Sequence, residues 1–419
     1  MKLLQGEYMK FVKLSLAAAM MMGASAFAIE NTKVSGDARL YYHTEDNGKG
    51  ELFDKTKSTA DTAIKLNLTT DLVKGVSAGL SGTMVSTLGL ENNLVSGVWA
   101  GAHSLTAQPG ADLGARVNSA KWMNEAWLAT TQGKSTVKLG RMTLDTPLAF
   151  TETWSVEENT FEAAVLINQD LPGTTLVGAY IGNGNGTEQF GEATPTSPVA
   201  MGALVNKNGR FTTYGVAGAY AAGAINNSWE PLTVQAWYYD VTRLVQAYWV
   251  EADLNMNGIV AGVIATGNDY VGADSNEAFS AMLGYEMKDV VTVKVAYSMV
   301  GDSATTLGAG FNTATNHGAA QTKMYTEAWW NYGYVTLQDN TAMGLSVEGS
   351  ISDVDLGLYY TNVDQATTAG DADMSEITVS ASKSFGPLDT SLAYVNTDAK
   401  DQNAGDAYNA LQVYVTLNF

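Results

Sequence analysis

The 419-residue chain has no cysteine, only seven prolines, and no long apolar run beyond its first residues. Without cysteine there is no disulfide framework, no thiolate metal site and no lipid-anchored thioether. Without a run of about 18 apolar residues past the N-terminus there is no candidate transmembrane helix. Bases are scarce as well. Lysine and arginine together number 23 against 43 acids, a net charge of −20, and repulsion excludes a nucleic-acid partner. The three histidines, His43, His103 and His317, fall in predicted loops far apart in sequence. They supply neither a histidine-rich metal site nor a hydrolase triad, so no enzyme and no cofactor are expected. The acidic pairs Asp371 with Asp373 and Asp398 with Asp401 are candidates for a hard divalent cation, with solvated loop acids as the plainer reading.

What is present is a leader and a long repeat of strands. Lys10 and Lys13 precede an apolar run from Leu14 to Met22, and Ala26-Phe27-Ala28 supplies a small-x-small cleavage site. This predicts a secretory signal over residues 1–28, with Met9 the more natural start and residues 29–419 as the mature domain. The signal's apolar core is too short to anchor in a bilayer.

The rest of the chain alternates apolar and polar residues in stretches of about ten, separated by turns. In 290–300, Val291, Val293, Val295, Tyr297 and Met299 share one face and Thr292, Lys294, Ala296 and Ser298 the other. A mid-strand lysine faces lipid only at a cost, so its face is assigned to a lumen. Short turns are expected at 71–75, 132–134, 170–173, 255–258, 288–289, 352–353 and 386–387. Long loops are expected at 43–58, 88–118, 142–160, 183–210, 268–276, 301–340, 364–374 and 398–407. The alternation of short and long weakens near 222–245, where 222–230 is expected as a longer turn and 241–243 as a short loop.

A raw count finds nineteen strand-like segments. A C-terminus at the short-turn rim makes the strand at 341–351 run opposite to that at 290–300. No full strand fits between them, so 323–340 is assigned to a loop or strand top. The expected fold is an all-β transmembrane antiparallel barrel of eighteen strands, with sixteen as the rival count. Tyr41 with Tyr42, Tyr238 with Tyr239, Tyr248 with Trp249 and Tyr359 with Tyr360 are expected in interfacial aromatic girdles. In the last strand Leu411, Val413, Val415, Leu417 and Phe419 alternate with polar partners, and Phe419 resembles the terminal signal presented to the barrel assembly machinery.

One segment is more specific. Glu125-Ala126-Trp127-Leu128 is followed by Val137-Lys138-Leu139-Gly140-Arg141-Met142-Thr143-Leu144-Asp145-Thr146-Pro147-Leu148. This resembles the Campylobacter-type major outer-membrane porin family, in which a Gly-Arg-x-x-Leu-Asp-Thr-Pro-Leu segment leads into the third extracellular loop. The Glu-Ala-Trp-Trp segment at 327–330 is similar too. The resemblance implies an eighteen-stranded homotrimeric porin, a third loop folded into the lumen and a preference for cations.

Such a protein works through the width and field of a constriction. The candidate constriction acids on loop three are Asp145, Glu152, Glu157 and Glu158. Strand parity turns Arg39, Lys65, Glu125, Lys138 and Lys294 towards the lumen. Parity alone puts Arg141 on the lipid face with Val137 and Leu139. The lumen is preferred for it here, because a lipid-facing arginine costs up to about 2–4 kcal/mol at mid-depth and Gly140 offers a kink. The leading expectation is a passive, cation-preferring diffusion channel in contact with outer-membrane lipid and lipopolysaccharide. A substrate-specific channel, or a plugged structural or adhesive surface barrel, is the alternative. Five arginines are few for a dense basic ladder, and no plug or passenger domain is evident.

Overall fold

A computed structural model describes residues 31–48, 50–86, 119–186, 204–206, 209–303, 308–315, 320–366 and 371–419. The signal segment 1–28, the expected loop 88–118 and the histidines at 103 and 317 lie outside the described residues.

Eighteen antiparallel strands close into one barrel. In chain order they are β1 (Lys33–Glu45), β2 (Ser58–Val73), β3 (Val76–Ser86), β4 (Ser119–Gln132), β5 (Ser135–Met142), β6 (Phe161–Asn168), β7 (Thr174–Gly184), β8 (Ala219–Trp229) and β9 (Leu232–Val241). They continue with β10 (Val245–Met256), β11 (Ile259–Tyr270), β12 (Asn276–Met287), β13 (Val291–Val300), β14 (Asn340–Ile351), β15 (Val354–Gln365), β16 (Met374–Phe385), β17 (Leu388–Ala399) and β18 (Tyr408–Asn418). Each pairs with the next, and β1 closes on β18 with Tyr41 opposite Tyr414. A two-residue strand, Thr212–Thr213, adds to the top of β7. The expected count of eighteen holds, the rival of sixteen does not, and 323–340 contributes no strand of its own, only Asn340 at the start of β14.

Short turns line one rim. Asn257 and Gly258 both have positive φ, +55° and +85°, the backbone of a tight two-residue hairpin that matches strand twist. Ser352 and Asp353 do the same without glycine. The expected long turn over 222–230 is a correction: residues up to Trp229 belong to β8, and only Glu230 and Pro231 turn. Ala221, Ala222, Gly223, Ala224 and Ile225 carry small or apolar side chains on both faces, so the polar alternation that marks a strand is missing.

The two faces of the wall differ as a membrane requires. Outward residues such as Leu66, Leu128, Leu283 and Val295 are more than half exposed, which water would penalise and lipid does not. Their inward neighbours include Lys65, Lys294, Ser298 and Ser346. Of each expected girdle pair, one ring faces out and one faces in. Tyr238, Tyr248 and Tyr360 are outward and exposed, whereas Tyr41, Tyr239 and Trp249 are buried on the lumen side.

Candidate functional site

The third upper connection, residues 143–160 between β5 and β6, turns into the barrel instead of standing above it. The Leu148 N–H donates to the Tyr239 hydroxyl on β9 at 3.4 Å. The Tyr414 hydroxyl on β18 donates to the Trp154 carbonyl at 2.7 Å. Lys65 on β2 pairs with Glu158. The Thr160 hydroxyl donates to the Asn124 carbonyl on β4 at 2.9 Å. Contacts with walls this far apart place loop three across the lumen.

Loop seven, residues 301–339, enters beside it. The Tyr325 hydroxyl donates to Asp253 on β10 at 2.8 Å, and its N–H to Ser280 on β12 at 3.1 Å. The backbone N–H groups of Trp330 and Asn331 donate to Glu376 on β16 at 2.8 and 2.9 Å. The Trp329 indole donates to Gln412 on β18 at 3.0 Å. Sequence reasoning assigned this stretch to a loop and missed that it is lumenal. Its signal was Trp329, Trp330, Tyr332 and Tyr334, an aromatic density that a solvated loop does not need.

The two loops are clasped by Glu152. This side chain is 0 % exposed. It accepts hydrogen bonds from the Trp154 indole at 2.9 Å, Asn312 at 2.9 Å, the Thr315 hydroxyl at 3.0 Å and the Gln321 N–H at 3.2 Å. Glu152 therefore departs from the expected constriction role: it joins loop to loop and does not face an aqueous passage. Asp145 pairs with Lys323 of loop seven. Burial pushes the Asp145 carboxyl up, and Lys323 only partly offsets this. Burial, with Glu152 nearby, lifts Glu327 to about 8. Glu158 goes the other way: burial would raise it, but Lys65 and Arg39 together hold it below the usual carboxylate range. Glu157 is buried in the field of Asp61 on β2.

The wall residues sort by register. Arg39 faces inward and pairs with Asp37 at 2.6 Å. Lys138 faces inward, 4.2 Å over the Trp127 ring and in the field of Glu125. Lys294 faces inward between Gly284 and Ser346. Glu125 owes its direction to a bulge. Ser81 pairs with Glu125 and Gly82 with Met123, which leaves Asn124 as an extra residue. Asn124 is 0 % exposed and reaches Glu158 at 3.5 Å. Both Asn124 and Glu125 thus serve the lumen, one as an anchor for loop three and one as a wall charge.

Arg141 is a correction. It lies opposite Ala126 and Glu162, on the same face as the outward pair Leu128 and Leu139. Gly140 has φ +122°, and a Cβ there would stand 2.2 Å from the Ala126 carbonyl oxygen, yet the alternation passes through unchanged. The cost of an outward arginine is met by position and partners. Arg141 sits one residue from the upper end of β5, pairs with Glu162 at 2.9 Å and stacks 4.2 Å over Phe211.

Parity applied to every strand also finds inward acids not singled out from sequence. Glu251 accepts from Gln235 at 2.7 Å and from the Trp249 indole at 2.9 Å, and Glu348 accepts from the Tyr359 hydroxyl at 2.9 Å. The aromatic lining is extensive near loop three, with Tyr41 stacked on Tyr414 at 4.4 Å and His43 on Trp330 at 4.8 Å. Phe419 lies at the seam, exchanging backbone hydrogen bonds with Gly36 at 2.7 and 2.9 Å.

Lys400 bridges Asp371 and Asp373 at 2.8 and 2.6 Å, which holds Asp373 below its ordinary range, and Asp401 accepts from the Tyr334 hydroxyl at 2.6 Å. Among the described residues no group of three or more His, Asp or Glu could hold a metal.

No family model and no curated protein matches the chain. Solved structures do match in fold. OpdK of Pseudomonas aeruginosa, crystallised with vanillate, superposes with a TM-score of 0.71 at 13% identity, over 93% of this chain and 99% of that one. OccK9 (OpdG) of the same organism gives 0.71 at 13%, over 93% and 99%. OccK8 (OprE) gives 0.68 at 14%, over 94% and 100%. The fold is the one these structures share, a closed antiparallel barrel of eighteen strands.

Proposed function

We propose that the protein is a passive channel for small hydrophilic solutes and ions, that it prefers cations, and that loop three forms its constriction. The observation that carries this reading is the charge left on the inward face once ion pairs cancel. Arg39 with Asp37, Lys65 with Glu158 and Lys323 with Asp145 are neutral as pairs. On the described inward face Lys138 and Lys294 then stand against Asp61, Glu125, Glu348 and Glu376. An acidic lumen raises the local concentration of cations and repels anions. The test is a planar bilayer under a KCl gradient. Stepwise ohmic conductance with a reversal potential of cation sign is expected, and the double variant Glu125→Gln, Glu348→Gln should move that potential towards zero. An anion-sign reversal, or no conductance, would sink the reading.

A second reading, a substrate-selective channel, is favoured by loop seven entering beside loop three and by the aromatic rings around them. One structural neighbour was crystallised with vanillate. Block of the ion current by one solute class and not others would favour this version. The segment from Gly140 to Leu148 supports membership of the Campylobacter-type porin family, and with it a homotrimer. Signal cleavage after Ala28 and an assembly role for Phe419 belong to the same reading.

A further inference from the structure

The outward face of β5 to β9 holds a groove of about 450 Å³. Registry sets Leu166, Gly178 and Ala222 side by side across β6, β7 and β8, with Val137 and Tyr238 at the ends of that row. Ala164 lies in the row above, beside Tyr180 and Tyr220, whose rings stand 5.0 Å apart. The floor is therefore small side chains and the rim is aromatic. A Cβ built on Gly178 meets nothing within 4 Å, so the groove is open space.

On β5 the groove is walled by Val137, and above it on the same face stand Leu139 and then Arg141, which puts a guanidinium at the loop-bearing rim. Arg141 spends its Nε–H on Glu162 and one Nη–H on the Met123 carbonyl at 3.3 Å. Its other three N–H donors have no acceptor among the described residues, and the side chain is 35 % exposed. Lys121 stands on the same face of β4, two residues above Met123, about 7 Å along the strand. It is exposed and has no ion-pair partner among the described residues. In a chain with a net charge of −20, two bases beside one acid at this height are notable. Among the described residues the other acid on this face, Asp240 of β9, is four strands from Arg141, about 19 Å.

We propose that this face seats a phosphorylated, acylated glycolipid of the outer leaflet, lipid A, with an acyl chain in the groove and a phosphate between Arg141 and Lys121. The groove alone would suit any acyl chain or a second barrel. The two cations above it select the occupant, because a guanidinium with open donors matches phosphate and a neighbouring ammonium adds charge. A second copy brings Glu162 and Asp240 as its acids on this face, the first already paired.

Native mass spectrometry of the detergent-solubilised full chain tests this with bis-phosphorylated lipid A and with its dephosphorylated form. One bis-phosphorylated lipid should be retained per chain, and the dephosphorylated form roughly tenfold more weakly, as expected for a lost charge-assisted contact. Gly178→Trp, which fills the groove, should reduce retention of both forms. Lys121→Gln, which leaves the Arg141–Glu162 pair in place, should narrow the gap between them. Heat-modifiable migration confirms that each variant is a closed barrel. Equal retention of the two lipids overturns the proposal, as does unchanged retention by Gly178→Trp. If Gly178→Trp instead separates an oligomer into monomers while lipid retention stays intact, the groove is a subunit contact and the proposal fails.

Discussion

The wall from β6 to β9 and the wall from β13 to β17 are built from strands of similar length and opposite inner chemistry. Inside the first stand Phe161, Val165, Ile167, Val177, Ile181 and Trp237, all buried. Inside the second stand Lys294, Ser298, Ser346, Thr378 and Ser380. Both are equally apolar outside. The difference follows from what each wall meets. The first backs onto loop three, where Leu144, Leu148 and Met142 join it in one apolar cluster. The second meets loop seven, near its upper end through Val300, Ala342, Val363 and Met374 in that same cluster, and below it through buried polar residues such as Ser298 and Thr378. A barrel in lipid needs no core for its wall, but a loop held inside it does, and here the apolar inner surface lies under the loop.

The largest test of this contrast is a pair of substitutions. Val177→Asp puts a carboxylate into the apolar inner wall opposite Ile167 and Gly223. It should cost about 3 kcal/mol or more, read as the urea midpoint of the barrel in vesicles. Ser346→Asp, on the polar wall and directly opposite Lys294, should leave the midpoint almost unchanged. Equal losses would show that the two inner surfaces are not distinct.

Next in size is the clasp. Glu152→Ala removes one acceptor from four donors in a dry site and should weaken loop docking by about 2–3 kcal/mol. The barrel should still close, because none of its strand pairs involves Glu152. Single-channel records should show higher mean conductance and frequent steps between levels. A quiet, unchanged channel would mean that the apolar cluster alone holds loop three.

The smallest expected effect is a pH dependence confined to loop seven. Glu327 keeps its proton to about pH 8 when docked. A released loop would lose it near the ordinary glutamate value. Between those limits the docked form binds more protons, so docking weakens as pH rises and levels off above 8. Glu152 and Lys323 are the charged groups that bear on it. Protection of residues 320–340 from proteolysis should be greater at pH 6 than at pH 9, and Glu327→Gln should remove the difference. Protection that increases with pH would contradict the assignment.

The same contrast explains what was legible in sequence. Where one face meets lipid and the other water, as in 290–300, alternation gave strand, direction and the lumenal side of Lys294. Where both faces are apolar, as around Ala221 to Ile225, the signal vanished and a strand was read as a turn. Arg141 shows the opposite error. Its periodicity was informative, and the energetic objection to an outward arginine overlooked how near the rim it sits and how Glu162 and Phe211 cover it. Of each adjacent aromatic pair only one ring can belong to an outer girdle, since neighbours on a strand cannot share a face. Glu152 was identified as important by its place in loop three, but no periodicity exists in a loop to say that it is buried. Three of its four partners lie 160 to 169 residues away, at a separation that local pattern does not reach.

The extra residue at Asn124 has a consequence for how this wall tolerates change. A strand is read in units of two, and the bulge acts as a frameshift: everything before it is in one phase and everything after it in the other. Deleting Asn124 would set Met123, facing out, directly before Glu125, facing in, so the rungs Gly82–Met123 and Ser81–Glu125 would run on without a break and every other side chain would keep its side. The loss would be that of one anchor of loop three. A residue inserted elsewhere in β4, with no bulge to take it up, would instead exchange inside and outside along half a strand.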